Sequence, residues 1–464
     1  MSLEVLSAGI EDSLLDSLSF KLKPGASYVT NRRSVTYTAS SSDKYGPNSG
    51  TRLIKLQITG DQWLDPSTVR VMFDLRNIED LPTGATGDTE NKQLRVLGSP
   101  YTFFRRMRIL AGGQIIEDIE NFDRVSEMFA TLTSKDSRVN DDGEAFGTNH
   151  SMWDWQSLAP NKNTLKGIMP QKKQTVLFQP LSGLLMQGKY LPIRYCPLTI
   201  ELEVTDSLTS PVLSQFSTDP DPTDKFNERN TSLKWQMENV QLKCDLCTLD
   251  NALDNSFAQH LLDGKTMPIS YNTYISQLLT IAGKDVQVNV SRAVSRLKSV
   301  FVTLDHDVLS EEQGLYKTRK AWNDFYSPMH SLSTTGDTWD NYDEDGEFEF
   351  QLSAGSKLFP EYPIRSHAEA FYQLKKTLGI QSSKVHNFDI MSKEYRSYKM
   401  IIGVDTEKVL SAGFTGLNTR AGDVIGVRFK HVSADGTTYA KKMHVVLHSD
   451  CILNIRDAGV EVAD

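Results

Sequence analysis

The segment that most constrains the fold of this chain covers residues 175–204, TVLFQPLSGLLMQGKYLPIRYCPLTIELEV. Near its end, the apolar residues Leu198, Ile200, Leu202 and Val204 alternate with threonine and glutamate. Successive side chains of a β-strand point to opposite faces, so this period of two predicts a strand that is buried on one side only. The segment therefore favours a protein built from sheets that pack through one face.

The same segment carries the spacing of a nucleotide-binding phosphate loop, in Gly183, Gly188 and Lys189. Such a loop needs serine or threonine after the lysine and then a helix, because the hydroxyl binds Mg²⁺ and the helix N-terminus binds phosphate. Here Tyr190 follows the lysine, and Pro192 disfavours helical backbone at the residue before it. We therefore interpret the two glycines as turn residues and the lysine as an exposed charge.

The composition is typical of a packed globular protein. The chain has 464 residues, 39% of them hydrophobic and 23% charged, and this length predicts two domains. Its net charge is -9, which argues against a coat with a basic nucleic-acid-binding arm. No apolar run approaches the roughly 18 residues of a membrane span. The N-terminal segment is acidic where a signal peptide is basic, so we expect synthesis and folding in the cytosol or nucleus.

Strand patterns dominate the first half of the chain from residue 27 onward. A Gly112-Gly113 pair between two of the strands predicts a tight hairpin, since glycine supplies the positive φ that such a turn needs. After the hairpin, the apolar residues change to helical spacing from Phe122 to Leu132. The predicted strands cover residues 53–58, 68–75, 107–110, 114–119, 198–204 and 234–249.

The second half repeats this arrangement. Ser366 and Glu369 form a capping-box pattern at the start of a predicted helix, which Gly379 ends. Many short strands with one prominent helix in each half predict an all-β protein of sandwiches or jelly rolls. Identity between the halves is too faint to establish a duplication by itself. The predicted strands cover residues 286–290, 297–304, 348–352, 424–429, 443–447 and 451–455.

Three features suggest the domain boundaries. Residues 1–19 carry leucine and isoleucine at near-helical spacing with acids between them, which predicts an amphipathic arm that docks on a partner. The stretch 206–232 is rich in loop residues, and we interpret it as a surface loop because another strand follows it. Residues 252–265 predict a bridging helix. The expected domains are therefore residues 20–252 and 253–464.

Candidate metal and redox residues are few. Cys244 and Cys247 form a C-x-x-C, but a strand places them on opposite faces, and no second pair stands at zinc-finger spacing. Buried, reduced cysteines are therefore favoured, and a zinc or redox role is the alternative. His444 and His448 lie in another predicted strand and lack the glutamate of a zinc-protease helix, which favours a structural or a solvated position.

Asn341, Asp343, Asp345 and Gly346 match the first half of a calcium-binding loop. The twelfth position holds Leu352 in place of the bidentate glutamate, so a solvated acidic loop is favoured and weak calcium binding is the alternative. No motif singles out a catalytic residue, a cofactor-binding residue or a metal ligand. We expect a protein that is not an enzyme and that uses no cofactor.

Several segments together carry a resemblance to a known family. They are SPYTFFRRMRILAGGQIIEDIENFDRVSEMF (99–129), VLFQPLSGLLMQGKYLPIRYCPLTIELEV (176–204), WQMENVQLKCDLCTLD (235–250) and GSKLFPEYPIRSHAEAFYQLKKTLG (355–379). In this order they resemble double jelly-roll major capsid proteins of polinton-like viruses, and more distantly those of virophages and nucleocytoplasmic large DNA viruses. The resemblance covers most of the chain, from residue 53 to the C-terminus.

The resemblance implies two tandem eight-stranded antiparallel jelly rolls with a few short helices. It also implies a homotrimer of pseudo-hexagonal outline that tiles the icosahedral shell of a double-stranded DNA virus, beside neighbouring trimers, penton proteins and minor capsid proteins. The protein would be made in the host cytosol, assembled in the cytoplasm or nucleus, and end in the virion. An acidic coat cannot condense naked DNA, so we expect no sequence-specific DNA binding. An internal membrane is possible but nothing indicates one.

The alternative function is that of a carbohydrate-binding or carbohydrate-active β-sandwich protein, because jelly rolls carry such functions too. It needs several tryptophans on one exposed face or a convergent pair of carboxylates. The acids lie mostly in loops, and the tryptophans are dispersed along the chain, which favours the capsid interpretation. The tryptophans are Trp63, Trp153, Trp155, Trp235, Trp322 and Trp339.

Overall fold

A computed structural model describes residues 28–81, 92–147, 167–208, 210–213, 231–305, 325–327, 348–379, 389–407, 416–420, 422–432 and 442–463. These residues form four antiparallel sheets. Two of them consist of strands that end at or before Leu249, and the other two consist of strands from Met267 onward. The predicted arm of residues 1–19 and the calcium-like loop of residues 341–346 lie outside the described residues.

The described strands of the first half pair with one another. In chain order they are β1 (Val29–Thr38), β2 (Lys44–Tyr45), β3 (Leu53–Ile58), β4 (Trp63–Asn77), β5 (Phe104–Ala111), β6 (Gln114–Glu120), β7 (Lys173–Phe178), β8 (Leu191–Pro192), β9 (Leu198–Val204) and β10 (Trp235–Leu249). The helices of this half are a 3₁₀ helix (Pro100–Phe103), α1 (Phe122–Thr131), α2 (Lys135–Asp142) and α3 (Gly183–Met186).

The order of these strands defines a jelly roll. Apart from the two-residue strands β2 and β8, the described strands form one sheet in the order β1-β10-β4-β7 and another in the order β3-β9-β5-β6. When the eight longer strands are numbered along the chain, without β2 and β8, the first sheet joins strands one, eight, three and six. The other sheet joins strands two, seven, four and five. Two facing sheets of eight strands connected in this way are a jelly roll.

Helix α4 (Asn251–Leu262) leads from β10 into the second half. Its described strands are β11 (Met267–Thr280), β12 (Val286–Val290), β13 (Leu297–Asp305), β14 (Glu349–Ala354), β15 (Lys357–Ile364), β16 (Ile402–Asp405), β17 (Ile425–Lys430), β18 (Lys442–Arg456) and β19 (Gly459–Ala463). Its other helices are α5 (His367–Thr377) and α6 (Ser392–Ser397).

The second half has the same topology as the first. Its sheets run β11-β18-β13-β16 and β12-β17-β14-β15, which again join strands one, eight, three and six, and strands two, seven, four and five. Strand β19 pairs with β18 outside this order. The chain is therefore an all-β double jelly roll with a few short helices, as the resemblance implied.

Strand β9 shows how the alternating pattern produces this fold. Leu198, Ile200, Leu202 and Val204 are buried in the first core. On the other face, Glu201 forms ion pairs with lysine and arginine of the two neighbouring strands, at 2.9 and 2.8 Å. An apolar row on one face and paired charges on the other fix the register, because a shift by one residue would exchange the faces.

The predicted turn and helix signals are present. Gly112 and Gly113 have φ values of 55° and 89° and connect β5 to β6 as a hairpin. Ser366 caps α5, its Oγ accepting from Glu369 N at 3.2 Å. The carboxylate of Glu369 accepts from the amide of Arg365 rather than from that of Ser366, so the capping box is shifted by one residue.

The main differences lie at the C-terminal end. Two predicted strands, residues 443–447 and 451–455, are parts of the single strand β18. Ser449 and Asp450 interrupt the apolar pattern in the sequence, yet both are buried where β18 lies between its two neighbouring strands. Strand β11 was not predicted either, although it pairs with β18 over its whole length. In both cases the segment is a strand because it pairs with strands that are distant in the sequence.

Candidate functional site: the junction between the two jelly rolls

The phosphate-loop-like segment contains the short helix α3, which lies against the second jelly roll. Ser182 caps this helix, its Oγ accepting from Leu185 N at 3.2 Å. A Cβ on Gly183, the first helical residue, would stand 1.5 Å from the carbonyl oxygen of Asn272 in β11. Gly183 is therefore not the turn residue that the sequence predicted. It is a glycine because the backbone of the other jelly roll passes too close for any side chain.

The carboxyl group of Glu117 fills the N-terminus of α3. It is 1% exposed, and it accepts hydrogen bonds from the Ser182 hydroxyl, from Gly183 N at 3.0 Å and from Leu184 N at 3.4 Å. Burial raises the pKa of Glu117 to about 7, against the lowering effect of these three donors. The amides that would bind phosphate in a nucleotide loop are thus occupied by the protein's own side chain.

Two hydrogen bonds connect the same region to β11. The Tyr271 hydroxyl donates to the Ile116 carbonyl at 3.0 Å, next to the buried Glu117. Lys189 is exposed, as its position in the sequence suggested, and its Nζ donates to the Pro268 carbonyl at 3.0 Å. The lysine of the phosphate-loop pattern therefore binds a backbone carbonyl of the second jelly roll.

Helix α1 provides the aromatic part of the junction. The ring of Phe129 lies 4.7 Å from that of Tyr274 in β11 and 5.4 Å from that of Phe301 in β13, measured between centroids. Arg124, also on α1, donates from Nη2 to the Leu304 carbonyl at 3.0 Å. Aromatic contacts bury large apolar area, so Phe129 adds apolar contact between the two jelly rolls to the hydrogen bonds of β6 and α3.

The two histidines of the HVVLH segment lie on the face of β18 that is turned toward the first jelly roll. His448 stacks on Tyr274 at 5.2 Å, and its Nδ1 lies 3.1 Å from Ser299 Oγ. Burial lowers the pKa of His448 to about 4 and that of His444 well below its usual range. Both rings are therefore neutral at physiological pH, and they are buried rather than solvated.

The two cysteines of the C-x-x-C do not meet at one site, because their side chains lie in separate hydrophobic clusters. Cys244 belongs to the main core, whereas Cys247 packs on the opposite face with Trp63, under Phe257 of α4. Burial raises the pKa of both thiols, that of Cys244 to about 12. The four cysteines of the chain are free and buried. Cys244 and Cys247 lie on opposite faces of β10, as predicted.

Other candidate residues of the sequence have no described place in a site. The calcium-like residues Asn341–Gly346 lie outside the described residues, as do four of the tryptophans; the other two, Trp63 and Trp235, are buried. Among the described residues, no group of three or more histidine, cysteine, aspartate and glutamate side chains could hold a metal ion. Nor does the described part of the chain contain a helix long and apolar enough to cross a membrane.

The sequence pointed to Gly183, Lys189 and the two histidines without placing them at a junction, and three further junction residues were not predicted there at all. One of them had a signal, because Ser182 precedes a short apolar run as an N-cap does. Glu117 had none, since its buried partners lie 65 to 67 residues further along the chain. Phe129 lies in the segment of predicted helical spacing, and the partner it packs against belongs to the other half.

Two units of the same topology, which contact each other through α3, α1 and β6 of the first and β11 and β13 of the second, define the class of this protein as a double jelly-roll protein. No protein-family model matches its sequence, and no curated protein sequence matches it. Solved structures do match the fold.

The chain is similar to VP54 of PBCV-1, in a crystal structure fitted into a reconstruction of the virophage Sputnik. The TM-score is 0.58 and the identity 10%, over 96% of this chain and 100% of that one. A cryo-EM structure of the Sputnik virophage matches with a TM-score of 0.62 and 8% identity, over 96% and 90% of the two chains. The Faustovirus major capsid protein matches with a TM-score of 0.55 and 9% identity, over 96% and 94%. The fold of this chain is thus that of double jelly-roll capsid proteins.

Proposed function

We propose that this chain is the major capsid protein of a double-stranded DNA virus. Residues 20–252 and 253–464 form its two jelly rolls in this proposal, and residues 1–19 form an arm that contacts neighbouring subunits. The observation that supports it most strongly is the double jelly-roll fold, which the chain shares over 96% of its length with the capsid proteins above. The protein would act as a structural subunit of the virion rather than as an enzyme.

The asymmetry of the two halves supports assembly into a homotrimer. In the first half, the fifth strand of the jelly roll, β6, and the helix after it, α1, are covered by the second half. In the second half, the equivalent strand β15 and helix α5 carry exposed aromatic side chains, with Tyr362 80% exposed and Tyr372 61% exposed. A further copy could cover them as the second half covers β6 and α1. Three copies of two jelly rolls would then close a ring of pseudo-hexagonal outline.

Such trimers would tile an icosahedral shell beside penton and minor capsid proteins. The net charge of -9 supports a coat that encloses the genome without binding its sequence. The protein would be made in the host cytosol and assembled in the cytoplasm or nucleus.

The proposal is tested by measuring the mass of the purified protein by light scattering and imaging it in negative stain. We expect three times the chain mass of 52.1 kDa, and particles of pseudo-hexagonal outline. A monomer that binds carbohydrate on a glycan array would contradict the capsid function and favour the sugar-binding alternative.

The ring contact is tested separately by charge substitution. Replacing both Tyr362 and Tyr372 by lysine is expected to yield monomers, because desolvating a charge in an interface is unfavourable. Leu262→Lys is the matched control, since this side chain is likewise an exposed apolar one, 67% exposed, but belongs to α4 rather than to β15 or α5. Trimers that survive the double substitution would exclude this contact but not the capsid function.

A further inference from the structure

Glu117 lies where three elements meet. It belongs to β6, it binds the N-terminus of α3, and α3 rests through Gly183 on the backbone of Asn272 in β11. The carbonyl group of its neighbour Ile116 accepts a hydrogen bond from the hydroxyl of Tyr271, which also belongs to β11. One buried carboxyl group therefore connects the first jelly roll to the segment that touches the second.

The carboxyl group has no cation beside it among the described residues. Its stabilising partners are the Ser182 hydroxyl and the two backbone amides of α3. From β11, Tyr274 faces it, and burial together with the charge of Glu117 raises the pKa of that phenol to about 12. Behind Tyr274 lies His448 of β18. On β6 itself, Asp118 pairs with Arg106, on the alternate face of the strand.

A buried carboxylate that lacks a cation is costly, whereas the neutral acid in the same place is not. The neutral form can donate its proton to Ser182 Oγ and still accept from Gly183 N. The Ser182 oxygen also accepts from Leu185 N, so the state of the carboxyl group bears directly on the first turn of α3.

We propose that Glu117 and Ser182 form a proton-binding latch between the two jelly rolls. With Glu117 neutral, α3 is held on β6 and Gly183 stays seated on Asn272. Loss of the proton leaves a buried charge that hydrogen bonds but no described cation stabilise, and this loosens the contact of α3 with β11. The junction is therefore tighter under mildly acidic conditions than under mildly alkaline ones, for the unassembled subunit and the assembled one alike.

Amide hydrogen exchange of the segment 182–186 tests the latch. Protection of this segment, corrected for the intrinsic pH dependence of exchange, should fall by about tenfold between about pH 6 and about pH 8, since one pKa unit corresponds to a factor of ten. In Glu117→Gln, which keeps the shape of the neutral acid, protection should stay constant. Asp118→Asn is the matched control on the same strand and should behave like the unaltered protein.

Constant protection in the unaltered protein, or an equal loss in Glu117→Gln, would overturn the proposal. If Glu117→Gln does not fold, the infrared carbonyl band of the protonated acid decides in the unaltered protein. This band must disappear as the pH rises through about 7, and Ser182→Ala must move its midpoint upward, because the serine hydroxyl stabilises the charged form. If no band titrates there, Glu117 is a permanent charge and no latch exists.

Discussion

Two equivalent sheets of this protein have very different outer faces, meaning the faces turned away from their own cores. The sheet β1-β10-β4-β7 of the first jelly roll exposes a network of paired charges. Arg32 contacts Asp245 at 2.8 Å, and Lys173 contacts Asp74 at 2.6 Å, with both cations about half exposed. Such pairs keep an uncovered sheet soluble and contribute little to stability.

The equivalent sheet β11-β18-β13-β16 of the second jelly roll turns Tyr274, Phe301, His444 and His448 to the first jelly roll. Here aromatic rings replace ion pairs, and neutral imidazoles replace solvated charges. Topology therefore sets which strands pair, whereas the element that packs against a sheet decides which side chains its outer face tolerates.

The largest effect is expected from truncating a side chain on the covered face, meaning the outer face of the sheet β11-β18-β13-β16 that the first jelly roll covers. Phe301 is 2% exposed and packs on Phe129, so Phe301→Ala should lower the free energy of unfolding by about 3–5 kcal/mol. Met72 occupies the outer face of the equivalent strand β4 and is half-buried. Met72→Ala should therefore cost clearly less in the same denaturant titration. Equal losses would mean that the two faces do not differ energetically.

Acid should act on the covered face in particular. A histidine whose pKa is lowered on folding contributes stability that is present above its unfolded pKa of 6.5 and is lost as the pH falls. With the pKa of His448 at about 4, the loss between these values amounts to roughly 3 kcal/mol. The difference between unfolding titrations of the unaltered protein and of His448→Gln at a series of pH values measures it, since Glu117 and His444 titrate in both, and the substitution should remove this part of the slope. An unchanged slope would show that His448 is not the group that titrates.

The close approach of the two backbones predicts the next effect. Gly183→Ala places a methyl group on the Asn272 carbonyl and should destabilise by about 1–3 kcal/mol, toward the upper end of that range. Gly188→Ala, five residues further along, has nothing within 4 Å of its new Cβ and should leave the thermal midpoint unchanged. If both variants melted alike, the contact with β11 would not constrain the segment.

The smallest effect is expected on the uncovered face. Hydrogen bonds from Ser34 and from Arg32 lower the pKa of Asp245. Asp245→Asn should shift the unfolding midpoint less than any junction variant, because water competes for these partners. The difference from the unaltered protein should shrink further in about 1 M salt, where charges are screened within about 3 Å. A difference as large as that of Phe301→Ala would remove the contrast between the faces.

Much of the fold could be predicted because its signals are local. The alternation of β9, the Gly112-Gly113 hairpin and the capped helix after Ser366 each depend on neighbours within a few residues, and each is present. The paired topology of the two halves was implied only by the resemblance to double jelly-roll capsid proteins, since strand order leaves almost no trace in the identity between the halves. The junction was missed because it depends on contacts between distant segments: Glu117 has ordinary surroundings in the sequence, and Gly183 was interpreted as a turn residue.

The sequence by itself determined many of the strands, which of their faces are apolar, and that Tyr190 and Pro192 exclude a phosphate loop, whereas β11 and the continuity of β18 were settled by pairing. Only the tertiary structure decided what Gly183 and Lys189 do instead. Gly183 lets two backbones touch, Lys189 binds the carbonyl of Pro268, and the buried carboxyl of Glu117 takes the place of a phosphate. The physical reason is that alternation is written in successive residues, whereas the burial of a charge depends on chain segments that folding brings together.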